Sequence, residues 1–374
     1  MPTAQIVGGG IAGCAAALAL AQTGWKTQLI EQRSGPAQEG AGIQISPNAR
    51  HALDAIGVNV LPDLAFPKRI EIHAGQRPTP LSSYKLGSDY THGFGKEYAV
   101  MTRSALQLRL WEACQQHANI DIQAGHGTQL DLNADLIVGA DGIASITRNS
   151  ILSANGASSS GYVACRAVVQ MDDSQARDIP KDVVSLWLGA GSHGVIYPLP
   201  DRQLNIVMST KGKIASSGWS AQASDELVGS ILCQLSPKLG SLRSAARFSQ
   251  WDIQQVPPGG SWHDDKTVLI GDAAHAMPPF AAQGAAMALE DAVVLAAELT
   301  RSSSISSGLA AYERARRPRI NQIAKLSTSN ARLYHMSGPL AVGRNVALQA
   351  TPQSVVNARM GWVYSWMPPE LSAS

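Results

Sequence analysis

The strongest constraint on this chain lies at its start. Gln5-Ile6-Val7 is a short apolar strand, Gly8-Gly9-Gly10-Ile11-Ala12-Gly13 is a glycine turn, and the Ala/Leu-rich run to Gln22 is a helix. Thr23-Gly24 stops that helix, and Thr27-Gln28-Leu29-Ile30-Glu31 reads as a second strand. Strand, turn, helix and strand make one βαβ unit, which requires parallel pairing and a right-handed crossover. Each glycine of the G-x-G-x-x-G pattern has its own task. Gly8 permits the tight turn, Gly10 lets a pyrophosphate approach the backbone, and Gly13 lets the helix pack closely on the sheet. The helix start offers unpaired N–H groups to a diphosphate. Glu31 ends the second strand about 20 residues on, where a carboxylate accepts ribose hydroxyls. Gly8, Gly10, Ile11, Ala12, Gly13, Glu31 and the following Gln32 and Arg33 are therefore candidate contacts to an adenine dinucleotide. The alternative is a glycine-rich turn that binds nothing. The pattern does not separate NAD from FAD.

With 374 residues, of which 45% are hydrophobic, the chain has material for a large core and two lobes. Charged residues are only 16%, against about 25% in ordinary domains, and the net charge is +2. That balance disfavours a nucleic-acid binder relying on phosphate neutralisation. Cys14, Cys114, Cys165 and Cys233 are scattered with no C-x-x-C pair, so they read as buried apolar groups in a reducing compartment; no metal site is expected. The first strand begins within a few residues of Met1, with no signal peptide before it, and Ile11 to Ala21 is too short to cross a bilayer. A cytoplasmic protein without a transmembrane segment is expected.

Further along, Pro47 to Ile56 reads as a helix with Gly57 after it, and Leu106 to His117 as another. Asp135 to Val138 is a buried strand, Ser153 to Gly161 a hinge, and Ser302 to Gly308 a linker. Val163–Val169, Val183–Leu188 and Leu204–Met208 read as strands of a mainly β lobe. Val268-Leu269-Ile270 returns to the buried-strand pattern, followed by a long Ala-rich helix through Leu299 and two or three more helices. The order predicts an α/β fold: a Rossmann-like, parallel-sheet dinucleotide domain with an inserted, mainly antiparallel β domain and C-terminal helices. The expected boundaries are 1–70, 97–155 and 263–374 for the first domain, and 71–96 and 156–262 for the second.

Two more segments end strands in acidic turns. Asp135-Leu136-Ile137-Val138-Gly139-Ala140-Asp141-Gly142 is one, and Val268-Leu269-Ile270-Gly271-Asp272-Ala273-Ala274-His275 the other. Ligands of open α/β sheets gather at strand carboxyl ends, so Asp141 and Asp272 are candidate cofactor contacts; the alternative for each is a turn or cap acid. With the glycine turn, these three segments in this order resemble the single-component FAD-dependent aromatic hydroxylases of the para-hydroxybenzoate hydroxylase type. Gly40 to Ala49, Trp187-Leu188-Gly189 with His193 and Tyr197-Pro198, Ala282 to Ala288, and Tyr312 to Pro318 are similar to the salicylate and 3-hydroxybenzoate hydroxylase branch.

The resemblance implies bound FAD, reduction by NADH or NADPH, and hydroxylation of a small aromatic acid by O2 through a flavin hydroperoxide. It implies FAD contacts at Gln44, Arg103, Asp272, Gln283, Gly284 and Ala285, with Gln283 and Gly284 at a helix start facing the flavin. His193 and Tyr197 are the candidate catalytic residues near the substrate phenol, and Arg166 and Pro279 the candidate substrate contacts. For Arg166 a framework salt bridge is the competing reading. His275 has two readings, facing the site or, as the resemblance favours, structural, and Arg314 to Arg319 is a charged helix face, solvated or paired. Where many members carry Gly and Asn, this chain has Ala282 and Ala286, and the connection between Ile122 and Ala134 is shorter than the family norm. A homodimer is left open. So are two other functions: hydroxylation of a larger or non-carboxylate aromatic, and a flavin-binding protein or NADH oxidase without hydroxylation.

Overall fold

The computed structural model describes the chain except residues 37–40, 76, 78, 88–91, 126–129, 132, 152, 171–178, 215–220 and 372–374. Its first lobe grows out of the βαβ unit. Strand β1 (Thr3–Val7), helix α1 (Ile11–Gln22) and strand β2 (Lys26–Glu31) are followed by β3 (Gly42–Ile45), which leads into helix α2 (Pro47–Ala55). After β4 (Arg69–Ala74), β5 (Ser82–Lys85) and β6 (Ala99–Thr102) come helix α3 (Arg103–Gln116), β7 (Ile120–Ala124) and β8 (Leu136–Gly139). Five strands form a parallel sheet in the order β15-β8-β1-β2-β7, with β15 spanning Thr267–Leu269. Val7 pairs with Ile30 and Gly139, and Gly139 with Leu269. The carboxyl ends of β1, β2, β8 and β15 are therefore level, so Gly8, Gln32, Ala140 and Ile270 leave the sheet at one edge. Helix α1 is buried almost all round, as a helix covered on every side by apolar neighbours must be.

The second lobe is one eight-stranded sheet, β13-β14-β9-β12-β11-β10-β4-β5. Its added members are β9 (Ser158–Gln170), β10 (Val183–Leu188), β11 (Ser192–Leu199), β12 (Gln203–Lys211), β13 (Ala221–Gln222) and β14 (Ser249–Gln255). All pairs are antiparallel except β4 with β10. The two-residue period divides its faces. Val163, Cys165, Ala167, Leu204, Ile206 and Met208 pack with Val228, Ile231 and Leu235 of helix α4 (Asp225–Leu235). Tyr162, Ala164, Arg166, Val195 and Tyr197 occupy the other face, toward the first lobe.

Several boundaries differ from the sequence reading. Ser158 to Gly161 already belongs to β9, so the Ser/Ala/Gly hinge shrinks to its first residues. Helix α3 begins at Arg103, not Leu106, because Thr102 Oγ1 accepts the Ala105 N–H. The long helix after β15 is interrupted. A single turn, α5 (Asp272–His275), is followed by Pro278-Pro279 and a 3₁₀ turn before α6 (Gly284–Arg301), since proline cannot continue a helix. The linker at Ser302–Gly308 is mostly helix α7 (Ile305–Tyr334): Ser304 and Ser307 form a reciprocal cap, and Gly308 packs on Leu299. Helices α8 (Gly338–Ala350) and α9 (Gln353–Tyr364) complete the chain. Cys14 and Cys114, distant in sequence, are neighbours, the Cys114 thiol donating to Cys14 O at 3.4 Å. In the short connection before β8, Ile122 to Ala124 end β7, the other described residues form no strand, and the rest lies outside the described residues.

Candidate active site

The first and third glycines of the turn are held by close backbone contact. Gly8 has φ +105°, and a Cβ there would lie 2.6 Å from Ala140 O; a Cβ on Gly13 would lie 1.8 Å from Gly8 O. A Cβ on Gly10 would meet nothing within 4 Å. The first and third glycines are thus closed by protein, while the middle one opens outward. Helix α1 starts with no side chain capping its first N–H groups. Buried Glu31 accepts the Gly9 N–H at 2.8 Å and the Arg33 N–H at 3.0 Å, while Gln32 and Arg33 are exposed beside it. Sequence reasoning missed two supports: Gln107 Nε2 donates to Gly9 O, and Trp111 lies where a Gly9 side chain would go.

The two acidic turns behave differently. Asp141 accepts from Ser145 Oγ, both Ile146 and Thr147 N–H, and Thr147 Oγ1, so its carboxylate braces its own loop. Asp272 is exposed at the start of α5, with no hydrogen bond among the described residues. Gly271 before it has φ +56°. Buried Arg148 ties the loops together by donating to Ala273 O and Ile143 O. At the start of α6, Gln283 turns inward between Asn48 and Ser46, and Gly284 is exposed, so that a Cβ added there would meet nothing within 4 Å. Ala285 follows, half-buried, and no side chain caps this helix. Ile11, Ala12 and Gly13 begin the other helix. Gln44, on β3, accepts from Tyr98 OH, and Arg103 is exposed at the start of α3. The open positions at Gly10 and Gly284, two uncapped helix starts and the unengaged Asp272 fit FAD.

Beneath these loops lies a buried clamp. Of the two readings of the Arg314–Arg319 run, solvated or paired, Arg316 takes the paired one and is only 1% exposed, a burial the sequence did not show; its guanidinium donates to Glu290 at 2.6 Å and Asp291 at 2.7 Å. Asp291 also accepts from Gly271 N–H and His275 Nε2, and Glu290 from Asn48 and Arg319. His275 therefore takes the structural one of its two readings. Burial alone would raise the Asp291 carboxyl, but His275 and Arg316 outweigh it and hold the group down to about 2. One network thereby fixes the Gly271 turn and, through Asn48, the Gln283 helix start.

The second lobe faces this edge with side chains from three strands. Arg166 on β9 pairs across to Val207, and Val207 to Val195 on β11; one pleat along lie Ala164, Ser209 and His193. Strand spacing and rise put the Arg166 and His193 Cα atoms about 12 Å apart. Arg166 has no ion-pair partner among the described residues, so the framework salt bridge is absent there; its guanidinium lies 4.6 Å from the Trp251 ring centroid. Burial lowers its pKa, the nearby Arg103 cation lowers it further, and Tyr197 opposes them. Burial pushes the Tyr197 phenol far above its ordinary range, so it stays protonated. Gly42 N–H donates to Asn205 at 2.7 Å, and a Cβ at Gly42 would strike the Tyr197 ring, so β3 closes this end. His193 is buried against Phe280, next to Pro279, which is exposed. Burial, then His335, brings its pKa down to about 3, leaving a neutral imidazole. Ser209 Oγ, opposite His193, is buried without a partner among the described residues. His335 was not foreseen; no periodicity marks it.

Residues 96–327 match the family described as FAD binding domain, and residues 4–162 the family described as FAD dependent oxidoreductase. The chain is 32% identical to the 3-hydroxybenzoate 6-hydroxylase of Klebsiella oxytoca, covering 97% of this chain and 96% of that protein. It is 29% identical to the 3-amino-4-hydroxybenzoate 2-monooxygenase PtnB3 of Streptomyces platensis, over 90% of each. A salicylate hydroxylase substrate complex shares the fold with a TM-score of 0.79 and 21% identity, covering 98% of this chain and 96% of that one.

Proposed function

The chain belongs to the FAD binding domain family of flavin-dependent aromatic monooxygenases, and on that premise we propose that it hydroxylates a small phenolic acid whose carboxylate is held by Arg166. FAD, reduced by NAD(P)H, supplies the oxygen-activating chemistry when bound. The protein binds, orients and adjusts the protonation of the ring. The observation that carries the substrate reading is a half-buried arginine without a carboxylate partner among the described residues, flanked by a second cation, Arg103. Such a group is costly unless an anion joins it. Val195, Val207 and Ala164 offer the ring an apolar floor, and the Nε2 of His193 has no partner among the described residues and faces the phenol. Because burial keeps His193 neutral, it accepts a hydrogen bond from the phenol and orients it. In this reading Asp272, Gly10, Gly284 and the two uncapped helix starts hold FAD, and Arg103 lies between cofactor and substrate.

Two finer readings accompany it. Cys14, Cys114 and Cys165 are buried and suit the cytoplasm, whereas Cys233, also expected to be buried, is exposed on α4; the exposed Leu340, Val342 and Val346 of α8 suit a homodimer. No helix among the described residues is long and apolar enough to cross a membrane.

The test is a panel of hydroxybenzoates, anthranilate and hydroxynicotinates, each followed by NADH and NADPH oxidation with product identification. One phenolic acid should accelerate oxidation and give hydroxylated product matching the reductant used. Arg166→Gln should raise KM for that acid roughly 10- to 100-fold with FAD retained. Hydrogen peroxide as the sole product from every acid would leave a flavin oxidase, and turnover of a larger, uncharged aromatic with Arg166→Gln unaffected would remove the carboxylate site.

A further inference from the structure

Arg166 has no ion-pair partner among the described residues, yet its guanidinium is not loose. Trp251 of β14 pairs with Ala164 of β9, two residues before Arg166, so both side chains stand on the sheet face turned to the first lobe. Diagonal neighbours across an antiparallel pair are within reach of long side chains, and the Arg166 guanidinium lies over the indole, 4.6 Å from its centroid. The indole in turn packs on Ala164, Ile253, Phe280 and Ala331, which ties it to the 3₁₀ turn before α6. Other arginines over aromatic rings are held differently. Arg50 over Phe66 also donates to Glu97 O, Arg317 over Trp262 to Glu313 and Gly260 O, and Arg319 over Trp362 to Glu290. Arg166 donates to no acceptor among the described residues. Its face is engaged while its N–H edge is spare.

We propose that Trp251 is a positioning residue for carboxylate recognition: its ring backs the Arg166 guanidinium and leaves the N–H edge to the substrate carboxylate. This role rests on Arg166 being the carboxylate site, as set out above. Stacking uses the face of a guanidinium, whereas bidentate pairing with a carboxylate uses its edge in the plane, so the two do not compete. Without the ring, no hydrogen bond among the described residues would hold the guanidinium, and the Arg103 cation of the first lobe would repel it. A long side chain free to move would then lose several rotamers on binding, a cost that falls on affinity. With the ring in place, that ordering is complete before the substrate arrives. The same arrangement selects the chemical class of the ligand. A planar carboxylate matches the two-pronged edge in charge and shape, while the neutral amide of the same acid matches it in shape alone.

The test uses the FAD-loaded protein and reads binding from the change in flavin absorbance, with 2-, 3- and 4-hydroxybenzoate and the matching hydroxybenzamides as probes. In Trp251→Leu, Kd for the hydroxybenzoate that wild type binds most tightly should rise roughly 5- to 30-fold, the loss of one desolvated cation–π contact. Kd for its amide should change by less than about twofold. Trp251→Phe keeps an aromatic face and should recover most of the loss. In turnover the change should fall on KM rather than on kcat. In an Arg166→Gln background Trp251→Leu should add nothing further, because the ring acts through the guanidinium. Equal losses for acid and amide, or the full loss persisting in the Arg166→Gln background, would make Trp251 a plain wall of the pocket and overturn the proposal. Should Trp251→Leu fail to retain FAD, Arg166→Lys decides, since lysine keeps the charge without the planar edge or the stack. It should still bind the acid at least fivefold more weakly, and wild-type affinity would overturn the proposal by showing that a point charge suffices. Failure of the functional reading looks different: Arg166→Gln would itself bind the hydroxybenzoates as wild type does.

Discussion

The two faces of the site are built from different material. On the first lobe the groups proposed to meet the ligand are chiefly backbone: the open side of Gly10, the uncapped start of α1 and the exposed Gly284 at the start of α6. On the second lobe the proposed groups are side chains, Arg166 and His193, each delivered by strand register. A backbone site needs side chains to be missing, and that absence leaves a mark in sequence as spaced glycines. A side-chain site needs one arginine or histidine among many, and nothing distinguishes it until the sheet brings its neighbours alongside. The backbone face in turn depends on side chains far below it, through the Arg316 clamp.

That dependence predicts the largest effect. Arg316→Met should leave Glu290 and Asp291 buried with too little positive charge and cost about 3–5 kcal/mol in urea unfolding, with loss of retained FAD. A loss below about 1 kcal/mol would make the backbone face self-sufficient and the clamp ornamental. The same group sets an acid limit. Asp291 is held down to about 2, below its unfolded value near 3.9, so its contribution of about 2 kcal/mol is complete above about pH 4. It is lost as pH falls from there through 2, and Asp291→Asn should flatten that part of the stability profile.

The paired substitutions Gly13→Ala and Gly10→Ala sharpen the difference within the glycine turn. At Gly13 the new methyl meets Gly8 O, and about 3 kcal/mol of stability should go, read by thermal unfolding without ligand. At Gly10 the methyl enters open space, so unfolding of the ligand-free protein should change by under about 1 kcal/mol while FAD affinity falls. Equal loss of stability at both would mean that the turn is only a packing device.

The smallest expected effect is at Ala282, which has φ +52°, a left-handed conformation that suits glycine. Relief of that strain exceeds the added chain entropy, so Ala282→Gly should stabilise the protein by about 0.5 kcal/mol in the same thermal assay. A loss instead would show that the alanine methyl packs usefully at the entrance to α6. The family pattern singles out this position, and the backbone angle supplies its physical meaning.

The fold was legible wherever a constraint was local. The turn Gly8–Gly13, the acid ending β2, the two strand-terminal acidic turns and the apolar runs of β9, β10 and β12 each show in neighbouring residues, because residue pattern and glycine placement are short-range properties. Element ends were less legible where a single cap or proline decided them, as at Thr102, Ser304 and Pro278. What only the tertiary structure decided is which charges are satisfied and which are left over. Arg316 and Arg166 are the same residue type, yet one is neutralised by two buried carboxylates and the other is half-buried without one among the described residues. Asp141 and Asp272 end similar turns, yet one is bound to its own loop and the other, with no such bond among the described residues, is open to a ligand. Electrostatic and hydrogen-bond partners are set by distance in space, which a sequence does not carry. The glycine turn is marked by side chains that are missing at a fixed local spacing, and so the sequence alone determined it.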